Sequence, residues 1–251
     1  MTRTISILNQ KGGVGKPTPS VNLANVLGSK DYKVLVIDLD PQANSTDMLI
    51  NIVDEEGYTF VDSVLEGKEE AITYPTVFAN VNILPSRLDL ATTEKNILIS
   101  PKAQHNRLYK GIKGIMKQYD FIIIDCPPIL NMLTVNALNV SDEVIIPIKI
   151  DKAAEKGFEM TLRNIKDMSE SYDLDIVYKV LFTMVTRTNV DKMKIEEITN
   201  ACDAGCVIQT HIRNQAKPIK EATYSQKSII NAKTGVGNDY VDLVNELLEE
   251  W

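Results

Sequence analysis

Apolar residues fall along this chain in short unbroken runs, separated by longer stretches that repeat apolar positions at helical spacing. The runs are Thr4–Leu8, Lys33–Asp38, Val81–Leu84, Phe121–Asp125, Glu143–Ile148, Val177–Thr183 and Val207–Thr210. Most are continuous Val, Ile and Leu, the pattern of a strand covered on both faces, whereas a half-exposed strand alternates apolar with polar. Helical patterns lie near 18–29, 59–66, 87–98, 104–118, 131–139, 153–171, 190–201 and 237–250. This order predicts an α/β fold: a doubly wound, mostly parallel twisted sheet flanked by helices on both faces. Such a sheet binds ligands beyond the carboxyl ends of its strands, so the residues that follow the runs are the first candidates for chemistry.

With 251 residues, 44% of them hydrophobic, the chain is long enough for one large core, and a single domain over 1–251 is expected. The formal net charge of −7 gives no global attraction to nucleic acid, so any such contact must come from a local basic patch. Cys126, Cys202 and Cys206 form no even disulfide set, and a reducing compartment is expected. Cys202, Cys206 and His211 have the wrong spacing for the usual zinc pairs. The sequence starts directly with a strand pattern, and neither a signal peptide nor an N-terminal DNA-reading domain is expected. No apolar run approaches the ~18 residues of a membrane span.

Three strand ends carry the chemistry. After the first comes Asn9-Gln10-Lys11-Gly12-Gly13-Val14-Gly15-Lys16-Pro17-Thr18-Pro19-Ser20, a glycine-rich loop that opens a helix. Such a loop turns backbone N–H groups inward and makes an anion cradle. Lys16 supplies a cation for terminal phosphates, as in G-x-x-x-x-G-K-[ST]. The Ser/Thr that should follow is Pro17, which has neither hydroxyl nor N–H and disfavours the α region for Lys16. The helix itself should tolerate prolines in its first turn, where N–H groups have no intrahelical partner. After the second strand, Asp38 and Asp40 stand in D-L-D-P-Q, placed to hold magnesium water or to orient an attacking water. After Phe121–Ile124 comes Asp125, the carboxylate of a Walker B strand, followed by Cys126-Pro127-Pro128.

K-G-G-V-G-K with its early lysine resembles the deviant Walker A motif of the ParA/MinD family of P-loop ATPases, whose usual continuation is K-T-T-T-S-V-N-L-A. Here it runs Lys16-Pro17-Thr18-Pro19-Ser20-Val21-Asn22-Leu23-Ala24, with two threonines replaced by proline. The resemblance continues through Pro147-Ile148 with Glu155-Lys156-Gly157, through Thr183-Met184 with Arg187-Thr188-Asn189, and through Ile212-Arg213 with Lys220-Glu221-Ala222. It therefore covers essentially the whole chain and is nearest to the short ParA proteins.

The resemblance implies ATP or ADP with Mg2+ as cofactors. Nucleotide would be held by Lys11, Gly12, Gly13, Val14, Gly15, Lys16, Pro17, Thr18, Met184 and Arg213. Asp38 and Asp125 would serve the metal, and Asp40 would position the hydrolytic water. Lys11 would cross to the partner subunit's phosphates, so Lys11, Lys16 and Asp40 form the expected catalytic set. A cytoplasmic, nucleoid-associated partition ATPase is implied. Its partners would be nonspecific DNA, a ParB-like centromere-binding protein and a second copy joined through ATP. Basic candidates for DNA are Arg187, Lys192, Lys194, Arg213, Lys217, Lys220 and Lys227, each of which singly reads as an ordinary surface cation. With Pro17 in the loop, the other reading is a catalytically impaired nucleotide-binding or regulatory homologue. A MinD-like membrane role would need a basic amphipathic tail, and residues 239–250 are acidic.

Overall fold

The structure, a computed structural model, describes residues 2–10, 17–152, 154–186, 188–230 and 233–251, with Glu155 described by its backbone alone. Its strands are β1 (Arg3–Ile7), β2 (Val34–Asp38), β3 (Tyr74–Pro75), β4 (Val81–Leu84), β5 (Phe121–Asp125), β6 (Glu143–Lys149) and β7 (Val177–Thr183). They form one sheet in the order β3-β4-β2-β5-β1-β6-β7. All neighbours pair in parallel except the short edge strand β3, which runs antiparallel to β4.

The unbroken apolar runs are explained by burial on both faces. Leu35, Ile37, Ile122, Ile124, Val144 and Ile146 point to one core, and their neighbours Val34, Val36, Phe121, Ile123 and Ile145 point to the other. The first core is roofed by α3 (Val61–Glu66), α4 (Leu90–Ile99), α5 (Arg107–Ile112), α6 (Met132–Leu138), α7 (Ala154–Tyr172) and α8 (Asn189–Ala201). The second is roofed by α1 (Pro17–Ser29), α2 (Asn44–Leu49), α9 (Ala216–Ser225) and α10 (Gly235–Glu250). Helices on both faces of a parallel sheet make the doubly wound P-loop architecture that the pattern predicts.

Three expectations change. Val207–Thr210 is not a strand: Val207 makes one parallel bridge to Val180 beside β7. The N–H of Thr210, the next donor toward β7 after that of Ile208, donates instead to the Glu246 carboxylate of α10 at 2.8 Å, and the N–H of Gln209 donates to the same carboxylate at 2.6 Å. The helix expected over 104–118 is split into α5 and a 3-10 turn at Met116–Gln118, with Gly114 between them. The elements α2, α9 and β3 are additions to the expected list: α2 and β3 are too short for a periodicity to show, and α9 has no fully buried residue to mark an apolar face.

Candidate active site

Strand register brings the two acidic motifs together. Asp38 and Asp125 are paired positions at the carboxyl ends of the adjacent strands β2 and β5. Both side chains are buried, and each oxygen is held. Asp38 accepts from the N–H of Asp40 (3.0 Å), the N–H of Thr46 (2.9 Å) and Thr46 Oγ1 (2.8 Å). Asp125 accepts from Ser20 Oγ on α1 (3.0 Å) and Ser45 Oγ on α2 (2.6 Å). Burial, and after it the neighbouring Asp125 charge, pushes the Asp38 carboxyl up to about 8, against the opposing pull of the Thr46 and Asp40 hydrogen bonds. Two carboxylates in one buried site repel unless a proton or a cation is shared between them, and an all-oxygen donor set of this kind suits a hard divalent ion such as Mg2+.

Asp40 follows at the same end, nearly buried, with its Oδ1 accepting from the N–H of Gln42 at 2.9 Å and its carbonyl accepting from Ser86 Oγ at 2.8 Å. Ala43, which closes the Asp40 turn and precedes α2, sits at φ 53, a left-handed conformation that disfavours a Cβ. Hydroxyls on two helices and on the loop after β4 thus fasten the acidic cluster. Ser20, Ser45, Thr46 and Ser86 were not singled out by the sequence reading, because nothing in their local pattern marks them.

The glycine-rich segment is anchored where it leaves β1. Asn9 Nδ2 donates to the Pro147 carbonyl at the end of β6 (2.6 Å), and Thr161 Oγ1 on α7 reaches Asn9 Oδ1 at 3.4 Å. Gln10 Oε1 accepts from Asn164 of the same helix at 2.9 Å. The candidates Lys11, Gly12, Gly13, Val14, Gly15 and Lys16 lie outside the described residues. Beyond them α1 begins at Pro17 itself, so the helix does accept both prolines in its first turn.

A mostly apolar hollow of about 210 Å3 opens beside that first turn. Thr18 and Pro19 line it from α1, Met184 and Arg213 from the ends of the β7 region, and Ile219 and Tyr240 from α9 and α10. Three residues from distant parts of the chain that were expected at nucleotide, Thr18, Met184 and Arg213, therefore meet in one place. Met184 also has a left-handed backbone (φ 54). Arg213 is fixed by α10: its N–H and Nε donate to Asp239 Oδ2 (2.9 and 2.7 Å) and its Nη2 to Oδ1 (2.6 Å). Gly235 permits this, since a Cβ there would lie 2.5 Å from Arg213 Nη1.

The basic candidates are spread over α8, α9 and the turn after α9. Lys192 and Lys194 are on α8, where Lys194 pairs with Glu197. Lys217 on α9 is 3.9 Å from Glu221. Lys220 lines the hollow and stands over the Tyr224 ring, 5.8 Å from its centroid. Lys227 is exposed just past α9, and Arg187 lies outside the described residues.

Comparison with known proteins agrees with this geometry. The sequence profile of the family described as AAA domain matches residues 2–178. Sporulation initiation inhibitor protein Soj of Bacillus subtilis (strain 168) is 37% identical over 201 residues, 79% of this chain and 79% of the relative. Chromosome partitioning protein ParA of Myxococcus xanthus (strain DK1622) is 33% identical over 199 residues, 78% of this chain and 70% of the relative. Among solved structures, cobyrinic acid a,c-diamide synthase from Mycobacterium smegmatis with bound ADP and magnesium superposes with a TM-score of 0.86 at 27% identity, covering 100% of this chain and 96% of the other.

Proposed function

Because the chain belongs to the ParA/MinD family of P-loop ATPases, we propose that it is a cytoplasmic DNA-partition ATPase, one domain over 1–251, working as a nucleotide-joined dimer on nonspecific DNA. The observation that carries this reading is the meeting of Asp38, Asp40 and Asp125 at the ends of β2 and β5, tied to the start of α1 by the Ser20–Asp125 hydrogen bond. In this reading the acidic cluster stands beside the start of the helix that follows the glycine-rich sequence.

In this reading the hollow beside Thr18, Met184 and Arg213 takes the adenine of ATP or ADP, and its apolar walls exclude water from the base. Lys16 and the loop N–H groups hold phosphate, and Lys11 reaches the nucleotide of the partner subunit. Asp38 and Asp125 hold Mg2+, which when bound neutralises charge on the phosphates. Asp40, held by Gln42 and Ser86, orients the attacking water. Lys192, Lys194, Lys217, Lys220, Lys227 and Arg187 supply salt-sensitive phosphate contacts to DNA, with Arg213 committed to Asp239. A ParB-like partner stimulates hydrolysis and so releases the DNA.

Pro17 favours a second reading, a nucleotide-binding homologue impaired in turnover, because it removes a metal-ligand hydroxyl and a cradle N–H together. Thr18 does not take over that hydroxyl's place in this reading, since it lines the base hollow. ATP binding and Mg2+-dependent hydrolysis by this chain and by the Pro17→Thr/Pro19→Thr variant decide between the two. The expected result is ATP binding by both and turnover at least about tenfold higher in the variant, ~1.4 kcal/mol of transition-state stabilisation. Equal turnover would leave Pro17 without catalytic consequence, and no ATP binding by either protein would overturn the ATPase reading itself.

A further inference from the structure

A second hollow, of about 760 Å3, opens behind α9. Helical spacing divides that helix between two spaces: Ala216, Ile219 and Lys220 line the base hollow, and Pro218, Ala222 and Ser225 line the second one. The other walls of the second hollow are α1, through Asn25 and Ser29, and the turn between β3 and β4, through Val77, Phe78 and Ala79. Its volume falls within the roughly 300–1,000 Å3 of small-molecule sites. Among the described residues, none assigned to nucleotide or metal lines it.

Its walls are held in place by the protein itself. Gly28 lets α1 close on the turn, since a Cβ there would lie 2.5 Å from the Ala79 carbonyl oxygen and 2.7 Å from Val81 Cγ2. The turn is fixed by the N–H of Val77 donating to the Leu49 carbonyl (3.0 Å) and the N–H of Phe78 donating to Thr76 Oγ1 (3.1 Å). At the end of α9, Gln226 takes a left-handed backbone (φ 49), and its Nε2 donates to the Asp47 carbonyl at 2.9 Å.

The hydrogen-bonding groups left open in it are neutral. Asn25 is only 5% exposed; its Nδ2 donates to Ser228 Oγ (2.8 Å), and no donor among the described residues reaches its Oδ1. Gln226 Oε1 has no donor among them either. The hydroxyls of Ser228 and Thr234 each accept one hydrogen bond, from Asn25 and from the N–H of Gly237 (3.1 Å), and each keeps its proton to donate. Apolar side chains stand on two separate elements, Val77 and Phe78 on the turn and Pro218 and Ala222 on α9. The charges of the lining are one of each sign, Lys227 and Glu221, so neither a polyanion nor a polycation is selected.

We propose that this hollow binds an uncharged, amino-substituted heteroaromatic molecule of nucleoside size. Its flat ring lies between the turn and α9, its amino group donates to Asn25 Oδ1, and its hydroxyls meet Gln226, Ser228 and Thr234. An amide oxygen can only accept, so a ligand without the amino group leaves a buried acceptor unmet and binds more weakly. A phosphate on the ligand gains little, because Glu221 offsets the cation of Lys227. The site is separate from the base hollow and does not depend on ATP hydrolysis.

The test is isothermal titration of the full chain with adenosine. Sub-millimolar binding is expected, and purine riboside, which lacks the amino group, should bind at least about fivefold more weakly. Asn25→Ala should bring the two affinities together, a change that a merely loosened wall does not produce. Ser29→Trp fills the hollow from an exposed position at the end of α1. It should weaken adenosine binding at least about tenfold while the circular dichroism spectrum stays the same. Ala216→Trp fills the base hollow instead and should leave that binding in place. In the unaltered protein, hydrogen exchange should slow across residues 77–80 and 225–230 when adenosine is bound. Absence of sub-millimolar binding, equal binding of purine riboside, full binding by Ser29→Trp, or protection elsewhere overturns the proposal. Loss of binding in Ala216→Trp alone assigns adenosine to the base hollow and overturns it as well.

Discussion

Asp38 and Asp125 stand side by side at the ends of neighbouring parallel strands, and the charge of Asp125 is one of the two causes that hold the Asp38 proton. Because the folded carboxyl is raised from 3.8 to about 8, the unfolded chain releases this proton at a lower pH than the folded chain does. Between about pH 4 and pH 8 the folded state therefore binds more protons, and stability falls as pH rises. Asp38→Asn removes that slope. In urea unfolding with a chelator present, the variant should gain on the parent protein progressively from pH 5 to pH 8. A difference that is constant with pH would show that Asp38 is ionised in the metal-free fold.

Arg213 and Asp239 make a forked pair whose acid is buried. Arg213→Ala leaves that carboxylate without its guanidinium and should cost about 2–3 kcal/mol. Gly235→Ala pushes on Arg213 Nη1 and should cost about 1 kcal/mol. The two effects share one cause, so Gly235→Ala should cost almost nothing once Arg213 is gone. Chemical denaturation of the two single variants and the double variant measures this, and simple additivity would refute the shared contact.

Ala43 holds a left-handed backbone with φ 53 in the turn that carries Asp40. Glycine takes that conformation freely, and its extra unfolded-state entropy offsets only part of the relief. Ala43→Gly should stabilise the protein by about 0.5–1 kcal/mol, raising Tm by roughly 2–4 °C in a chain of this size. A lower Tm would mean that the Ala43 methyl contributes more by packing than its backbone loses by strain.

Ala216, at the start of α9, lines the hollow beside Thr18 and Met184. Ala216→Trp puts an indole into a space of about 210 Å3 and should weaken binding of a fluorescent ADP analogue at least about tenfold, ~1.4 kcal/mol. Since Ala216 is exposed, the melting temperature should move little. Unaltered nucleotide affinity would place the base elsewhere.

Local sequence was enough to read the strands from Val81, Phe121 and Val177 to their observed ends, the long helices, and the acidic residues that follow β2 and β5. It sufficed because a strand covered on both faces must be apolar at every position, and that requirement is visible without knowing the neighbours. Even the tolerance of α1 for Pro17 and Pro19 is a local property, set by the free N–H groups of a first turn.

Only the tertiary structure decided which strand ends lie together. The sheet order sets Asp38 against Asp125, 87 positions further along the chain, and packing delivers Ser20, Ser45 and Thr46 to the two acids and Ser86 to Thr46. Likewise Val207–Thr210 has the composition of a strand, yet the Glu246 carboxylate takes the Thr210 N–H that its ladder needs. A hydroxyl, a carboxylate or a left-handed alanine has no periodicity to announce its partner. Its role is fixed by long-range packing, which brings residues far apart in the chain within hydrogen-bond reach.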